Sequence, residues 1–233
     1  MTGIDRTSLP STDPPSSDPP VAGLVLAAGG GTRYGTPKAL VRDAGGAAWL
    51  LRTAQALDEA GCAPVLVVLG ARFEEAESLL GGREGLLVVR AVDWVDGLSA
   101  SLEAGLRAVA ALEPQPTAVA VVPVDVPDLT ATTVARLIGE LPAAGGRDHG
   151  GRDRVTPHTL RQARFDGRPG HPVVIGRSHW AALRDALTGD TGARSYLGAH
   201  SVRGVECGDL GTGVDIDHRP PDAAGNLRTP DLG

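Results

Sequence analysis

An α/β fold of three layers, with helices on both faces of a mostly parallel sheet, is what this sequence predicts. Short apolar runs rich in Val, Leu and Ala recur at 22–27, 65–69, 86–89 and 118–122, each the length of a buried strand. Between them lie stretches whose apolar residues repeat at helical spacing. Strand and helix keep alternating in this way, which implies crossovers packed on both faces of a parallel sheet.

The run at 22–27 opens into a glycine-rich loop, after which 47–60 reads as a helix with Leu50, Ala54 and Leu57 on one face. Past the strand at 65–69, the 72–80 helix turns Phe73, Ala76 and Leu80 inward and Glu74, Glu75 and Glu77 outward. A buried strand at 86–89 precedes a helix over 98–112, built on Leu98, Leu102, Leu106 and Val109. The strand at 118–122 leads to a helix over 130–141, built on Val134, Leu137, Ile138 and Leu141. Residues 143–159, dominated by Gly, Arg and Asp, read as an exposed loop. Strands resume at 160–165 and 171–175, joined by a turn over 166–170. A helix at 178–187 buries Trp180, Leu183 and Leu187; a second begins near Gly192 with Asp190 as its N-cap, and 202–207 is the last strand. The Pro-, Ser- and Asp-rich residues 1–20 read as a disordered tail and 223–233 as a frayed end, leaving one domain over 21–222.

Composition bounds the function. With 42% hydrophobic residues the 233-residue chain has enough for a core, and a net charge of -6 argues against a nucleic-acid binder. Cys62 and Cys207 match no metal spacing and read as buried thiols of a reducing compartment. No signal peptide is recognisable, and no run approaches the roughly 18 apolar residues of a membrane span, so the expected location is cytoplasmic.

The chemistry concentrates in two places. Ala27-Ala28-Gly29-Gly30-Gly31-Thr32-Arg33-Tyr34-Gly35-Thr36-Pro37-Lys38 follows the first strand. Consecutive backbone N–H groups in such a loop can converge on an anion, and Arg33 and Lys38 add positive charge. No Asp or Glu occurs between Asp18 and Asp43 to cancel them, which points to a polyphosphate. A P-loop is excluded because Thr36 and Pro37 follow Gly35 where Lys and Ser/Thr belong. A dinucleotide fingerprint is excluded because Tyr34 stands where its last glycine is required. A flexible β–α turn is the alternative.

The second place is Pro123-Val124-Asp125-Val126-Pro127-Asp128, just past the strand at 118–122. Ligands of open α/β sheets bind outside the carboxyl ends of strands, so Asp125 belongs to the edge that carries the glycine loop. A carboxylate facing a polyphosphate is repulsive unless a cation lies between them, and Mg²⁺ is the usual bridge. Asp125 reads as a metal ligand and Asp128 as a local cap. Asp215 and Asp217 would point the same way in an extended segment; Asp215 is the favoured partner of Asp125 on the metal, and the other caps a following helix. Ser99 and Ser101, near the N-terminus of the 98–112 helix, suit recognition of a base or ribose, or Ser99 caps that helix. His171 is a structural histidine or a substrate contact.

Taken together these motifs resemble the MobA-like nucleotidyltransferase family, and within it the molybdenum cofactor cytidylyltransferases. The matching pieces span about residues 21–218: Leu26-Ala27-Ala28-Gly29 through Arg33, Gly35, Pro37 and Lys38; Gly97-Leu98-Ser99-Ala100-Ser101-Leu102; Pro123-Val124-Asp125-Val126-Pro127; Gly170-His171-Pro172-Val173; Gly189-Asp190-Thr191-Gly192-Ala193-Arg194; and Asp215-Ile216-Asp217. The resemblance implies the Rossmann-like fold of nucleotide-diphospho-sugar transferases. It also implies that the loop at Gly29–Gly31, with Arg33 and Lys38, holds a nucleoside triphosphate and that Asp125 binds Mg²⁺. Ala28 stands where guanylyl-transferring relatives carry Gly, which favours CTP over GTP. The implied acceptor is a small phosphorylated molecule such as molybdopterin cofactor, with a molybdenum enzyme receiving the product. The chain departs from the family at Tyr34 (usually Met), at Val124 and Val126, and in its longer 143–159 loop. The same subgroup includes proteins described as nicotine blue oxidoreductases, so an NAD(P)H-dependent reductase of a heteroaromatic substrate is the second reading and a non-catalytic cofactor carrier the third.

Overall fold

A computed structural model describes residues 20–139 and 154–219. The expected tails at 1–20 (Pro20 apart) and 223–233, and the 143–153 part of the expected loop, lie outside the described residues.

The strands are β1 (Val21–Ala27), β2 (Val65–Leu69), β3 (Leu86–Arg90), β4 (Ala118–Pro123), β5 (Leu160–Phe165), β6 (Arg168–Gly176) and β7 (Arg203–Glu206). The helices are α1 (Trp49–Glu59), α2 (Phe73–Leu80), α3 (Leu98–Ala110), α4 (Ala131–Ile138), α5 (Trp180–Asp185) and α6 (Arg194–Gly198). The strands form one seven-stranded sheet in the order β3-β2-β1-β4-β6-β5-β7. All neighbours are parallel except at β6, which runs against both β4 and β5. The expected three-layer, mostly parallel α/β architecture is the one observed.

Alternation along the central strands explains the layers. Successive strand side chains point to opposite faces. Val25, Val67 and Val122 therefore meet Leu50, Ala54 and Leu57 of α1, Ala76 and Leu80 of α2, and Val134 and Leu137 of α4. Their neighbours Leu24, Leu66 and Val121 meet Leu102, Leu106 and Val109 of α3, Trp180 and Leu183 of α5, and Tyr196 of α6 on the other face. Both faces are covered, so β1, β2 and β4 are apolar throughout rather than alternating.

Three expectations change. The run at 86–89 forms a strand, but not a buried one: β3 is the sheet edge, with Leu87 43% and Val88 36% exposed. An apolar run specifies extended backbone, while burial depends on what the rest of the chain lays over it. The turn before β6 is only Asp166 and Gly167, both at positive φ (52° and 76°), as a tight hairpin requires, so the strand resumes at Arg168. Asp190 does not cap the helix that follows it. It accepts a hydrogen bond from Leu98 N at 3.2 Å and so caps the N-terminus of α3. Among the described residues no helix is long and apolar enough to cross a membrane.

Candidate functional site

The glycine loop leaves β1 between two neighbours that hold its base: Ala71 N donates to Ala28 O at 2.9 Å, and Val124 N to Leu26 O at 3.0 Å. It then closes on itself. Gly31, at φ 63°, accepts at its carbonyl from Tyr34 N (3.0 Å) and Gly35 N (2.8 Å). A Cβ at Gly31 would fall 1.8 Å from Thr36 O, so this turn requires glycine. Tyr34 is buried edge-on against Trp49, with ring centroids 5.7 Å apart, and pins the loop to the core. Trp94 backs the loop: a Cβ on Gly30 would lie 3.2 Å from its indole and one on Gly70 only 2.5 Å away. Among the described residues, none of the backbone N–H groups of 29–33 donates a hydrogen bond. Such a run of free donors is what an anion-binding concavity needs.

The expected charged residues meet at this edge. Lys38 Nζ donates to Asp125 Oδ2 at 2.7 Å and to Asp217 Oδ1 at 3.0 Å. Arg33 Nη1 lies 3.7 Å from Asp217 Oδ2. Lys38 and Asp125 are largely sheltered, with side chains 15% and 18% exposed, while Arg33 is 74% exposed. Burial works against the Lys38 ammonium, but its hydrogen bonds to Asp125 and Asp217 outweigh it and raise its pKa above 10.5. The same contact holds the Asp217 carboxyl below its usual 3.8. The other oxygen of Asp125, Oδ1, is buried and has no hydrogen-bond partner among the described residues. Asp125 thus keeps an unused oxygen of the hard type that Mg²⁺ and Mn²⁺ prefer.

Asp215 and Asp217 are not equivalent here. Ile216 N donates to Asp125 O at 2.9 Å while the Ile216 side chain packs on the core, which fixes the strip beside Asp125. Asp217 reaches Lys38. Asp215, the residue expected on the metal, is exposed and makes no side-chain hydrogen bond or ion pair among the described residues. It does act electrostatically on His171. The strip is positioned by Asp128, whose Oδ2 accepts from Thr212 N (2.6 Å), Thr212 Oγ1 (2.7 Å) and Gly213 N (3.3 Å). Asp128 is therefore a long-range clamp and not the expected local cap; Thr130 caps α4 by accepting from Thr133 N at 3.2 Å. No short-range pattern marks Asp128, because its partners lie 84 residues away.

His171 reaches the same edge because β6 runs backwards, which sets the start of β6 beside the end of β4. Burial lowers its pKa below 6.5 against the opposing pull of Asp125, and its Nδ1 is buried without a partner among the described residues. Ser99 and Ser101 are buried, and Ser99 Oγ has no partner among the described residues. The α3 N-terminus is already occupied: Leu98 N donates to Asp190 and Ser99 N to Gly189 O at 3.0 Å. Gly97, not Ser99, is its N-cap residue. The two cysteines are buried and free, as expected.

A glycine loop at the carboxyl edge of a three-layer sheet, faced by a carboxylate from the neighbouring strand, matches the nucleotidyltransferase class. The comparisons name the branch. The MobA-like NTP transferase domain matches residues 23–204, and the chain belongs to that family. It is 33% identical over 205 residues to the nicotine blue oxidoreductase of Paenarthrobacter nicotinovorans, a match spanning 84% of this chain and 92% of that protein. Rv0371c from Mycobacterium tuberculosis H37Rv superposes with a TM-score of 0.66 at 26% identity, over 87% of this chain and 95% of that one. A structure of Rv0371c in complex with manganese gives 0.59 at 25% identity, over 82% and 89% of the two chains.

Proposed function

We propose that this protein transfers a nucleotidyl group from CTP, with GTP the less favoured donor, to a small phosphorylated acceptor such as molybdopterin cofactor, releasing pyrophosphate. The observation that carries the reading is the meeting of Lys38, Asp125 and Asp217 beside a loop whose 29–33 N–H groups donate to none of the described residues. Ala28, in the loop at the end of β1, is the cue for CTP.

The acceptor phosphate is already ionised, so no general base is required. One of its oxygens attacks the α-phosphorus in line, the bond from the α-phosphorus to the α,β-bridging oxygen breaks, and pyrophosphate leaves with the electron pair. Little covalent work falls to the protein, so positioning and charge stabilisation dominate. The 29–33 N–H groups and Lys38 would hold the triphosphate. Arg33, the more exposed cation, would close over the departing pyrophosphate. Asp125, through its unpartnered Oδ1, and Asp215 or Asp217 would hold a divalent cation. When bound, Mg²⁺ or Mn²⁺ supplies neutralisation of phosphate oxygens and polarisation of the phosphorus. The product would pass to a molybdenum enzyme.

Pyrophosphate release measured with CTP, GTP, ATP and UTP, Mg²⁺ and molybdopterin tests the reading. Turnover with CTP leading is expected; absence of any NTP binding, with or without metal, would sink it. The 33% identical oxidoreductase supports a second reading, reduction of a heteroaromatic substrate by NAD(P)H. Substrate-dependent loss of NAD(P)H absorbance without nucleotide turnover would establish that one instead.

A further inference from the structure

The two cations of the glycine loop are engaged by the same carboxylate. Asp217 gives Oδ1 to Lys38 at 3.0 Å and Oδ2 to Arg33 at 3.7 Å, while Lys38 also donates to Asp125 at 2.7 Å. Two positive and two negative formal charges therefore cancel within one cluster. The ammonium of Lys38 sits between two carboxylate oxygens from distant parts of the chain, 87 and 179 residues away. That is a cation's position. A divalent ion entering alone would face Lys38 at short range, with Arg33 behind it, and like charges repel most where solvent is scarce. A triphosphate entering alone would face two carboxylates. Each charge that enters relieves the repulsion met by the other.

We propose that Lys38 is a placeholder for the divalent cation, neutralising Asp125 and Asp217 until a triphosphate draws it away, so that cation and nucleotide load together. The inference rests on the reading of the loop as a triphosphate grip. It also assigns Asp217, rather than Asp215, as the second carboxylate that Lys38 guards. Three details agree with an exchange of this kind. Asp125 has a second, buried oxygen with no partner among the described residues, so it can keep one contact while changing another. The backbone bond from Ile216 to Asp125 O and the Asp128 clamp hold both carboxylates in place when Lys38 leaves. Lys38 itself opens a single 3-10 turn, Lys38–Leu40, directly after the glycine loop, so its ammonium can turn from the carboxylates to the loop without moving a major helix.

The test uses Mn²⁺ alone as the probe, with no nucleotide, and reads free Mn²⁺ by electron paramagnetic resonance in titrations of the full chain. Wild type should bind Mn²⁺ weakly. Lys38→Met should bind it at least roughly tenfold more tightly, because the repelling charge is gone and the carboxylates are left bare. Adding Asp217→Asn to Lys38→Met should abolish the gain, and adding Asp215→Asn should not. A Lys38→Met affinity no higher than wild type, or a gain abolished through Asp215 instead, overturns the proposal. If bare carboxylates weaken the fold, Lys38→Met and Lys38→Gln should regain more melting temperature from Mn²⁺ than wild type does; equal Mn²⁺ shifts would count against it. These readouts do not depend on turnover. Tight Mn²⁺ binding by Lys38→Met with wild type binding an NTP but never releasing pyrophosphate would defeat the transferase reading alone, and normal turnover with unchanged Mn²⁺ affinity would defeat the placeholder alone.

Discussion

The parallel half of the sheet and the half beyond the reversed strand serve one site by different means. In β2, β1 and β4 each strand delivers its contribution in the few residues after its carboxyl end: Gly70 beneath Trp94, the 28–33 loop, and Asp125. Such motifs are contiguous, and the strand itself aims them. The other half delivers His171 because β6 runs backwards, and Asp217 through the Ile216 bond to Asp125 O and the grip of Asp128 on Thr212 and Gly213. Its contributions are placed by pairing over long separations. The first kind of site part tolerates change elsewhere in the chain; the second depends on distant clamps.

The comparison can be broken from either side. The largest effect is expected in the parallel half: Asp125→Asn should lower CTP turnover by roughly 10²–10³-fold, as loss of a preorganised charge contact does. Pyrophosphate release against an unchanged circular dichroism spectrum checks it, and near-normal turnover would remove Asp125 from the chemistry. Next comes the clamp. Asp128→Ala removes three hydrogen bonds to the 212–213 backbone and hydroxyl and should cost about 1–3 kcal/mol in urea unfolding. It should also weaken Mn²⁺ binding in the Lys38→Met background, although Asp128 touches neither Lys38 nor Asp217. A stability loss without that second effect would mean the 215–217 strip holds its place unaided.

A smaller effect concerns pH. The Lys38 hydrogen bond depresses the Asp217 carboxyl below 3.8, so its contribution to stability is present above that value and is lost as pH falls through the folded-state value. Lys38, raised above 10.5, contributes below 10.5 and loses its contribution as pH rises through its folded value. The melting-temperature gap between wild type and Lys38→Met should therefore be widest at neutral pH and narrow at both extremes. A gap independent of pH would show that the pair adds nothing to the fold. Smallest of all is the thiol test. Burial pushes Cys62 up to about 12 and raises Cys207 as well, so a thiol reagent at mildly alkaline pH should label neither until the protein is unfolded.

Legibility in the sequence follows the same division. The strands and helices of the parallel half are readable because burial on both faces leaves unbroken apolar runs and helical periods, as in β1 and α1. The depth of β3 is not readable, since only its position at the edge exposes Leu87 and Val88. Arg33, Lys38 and Asp125 are readable because glycine, cations and a proline-flanked acid form compact signals. The difference between Asp215 and Asp217 is not: both belong to the same extended triplet, and that Asp217 is the one facing Lys38 is set by tertiary packing. Asp128 and Asp190 are read as local caps, yet each serves an element far away in sequence.

By itself, then, the sequence determined the three-layer α/β class, because that rests on local backbone preference and burial periodicity, and its contiguous motifs carried the resemblance to the family. Only the tertiary structure decided that Lys38 stands between Asp125 and Asp217, that Trp94 backs the loop, and that a reversed β6 brings His171 to the same edge. The physical reason is that charge pairing acts between residues brought close in space. Where these residues meet is set by strand order and direction, which the packed sheet fixes as a whole.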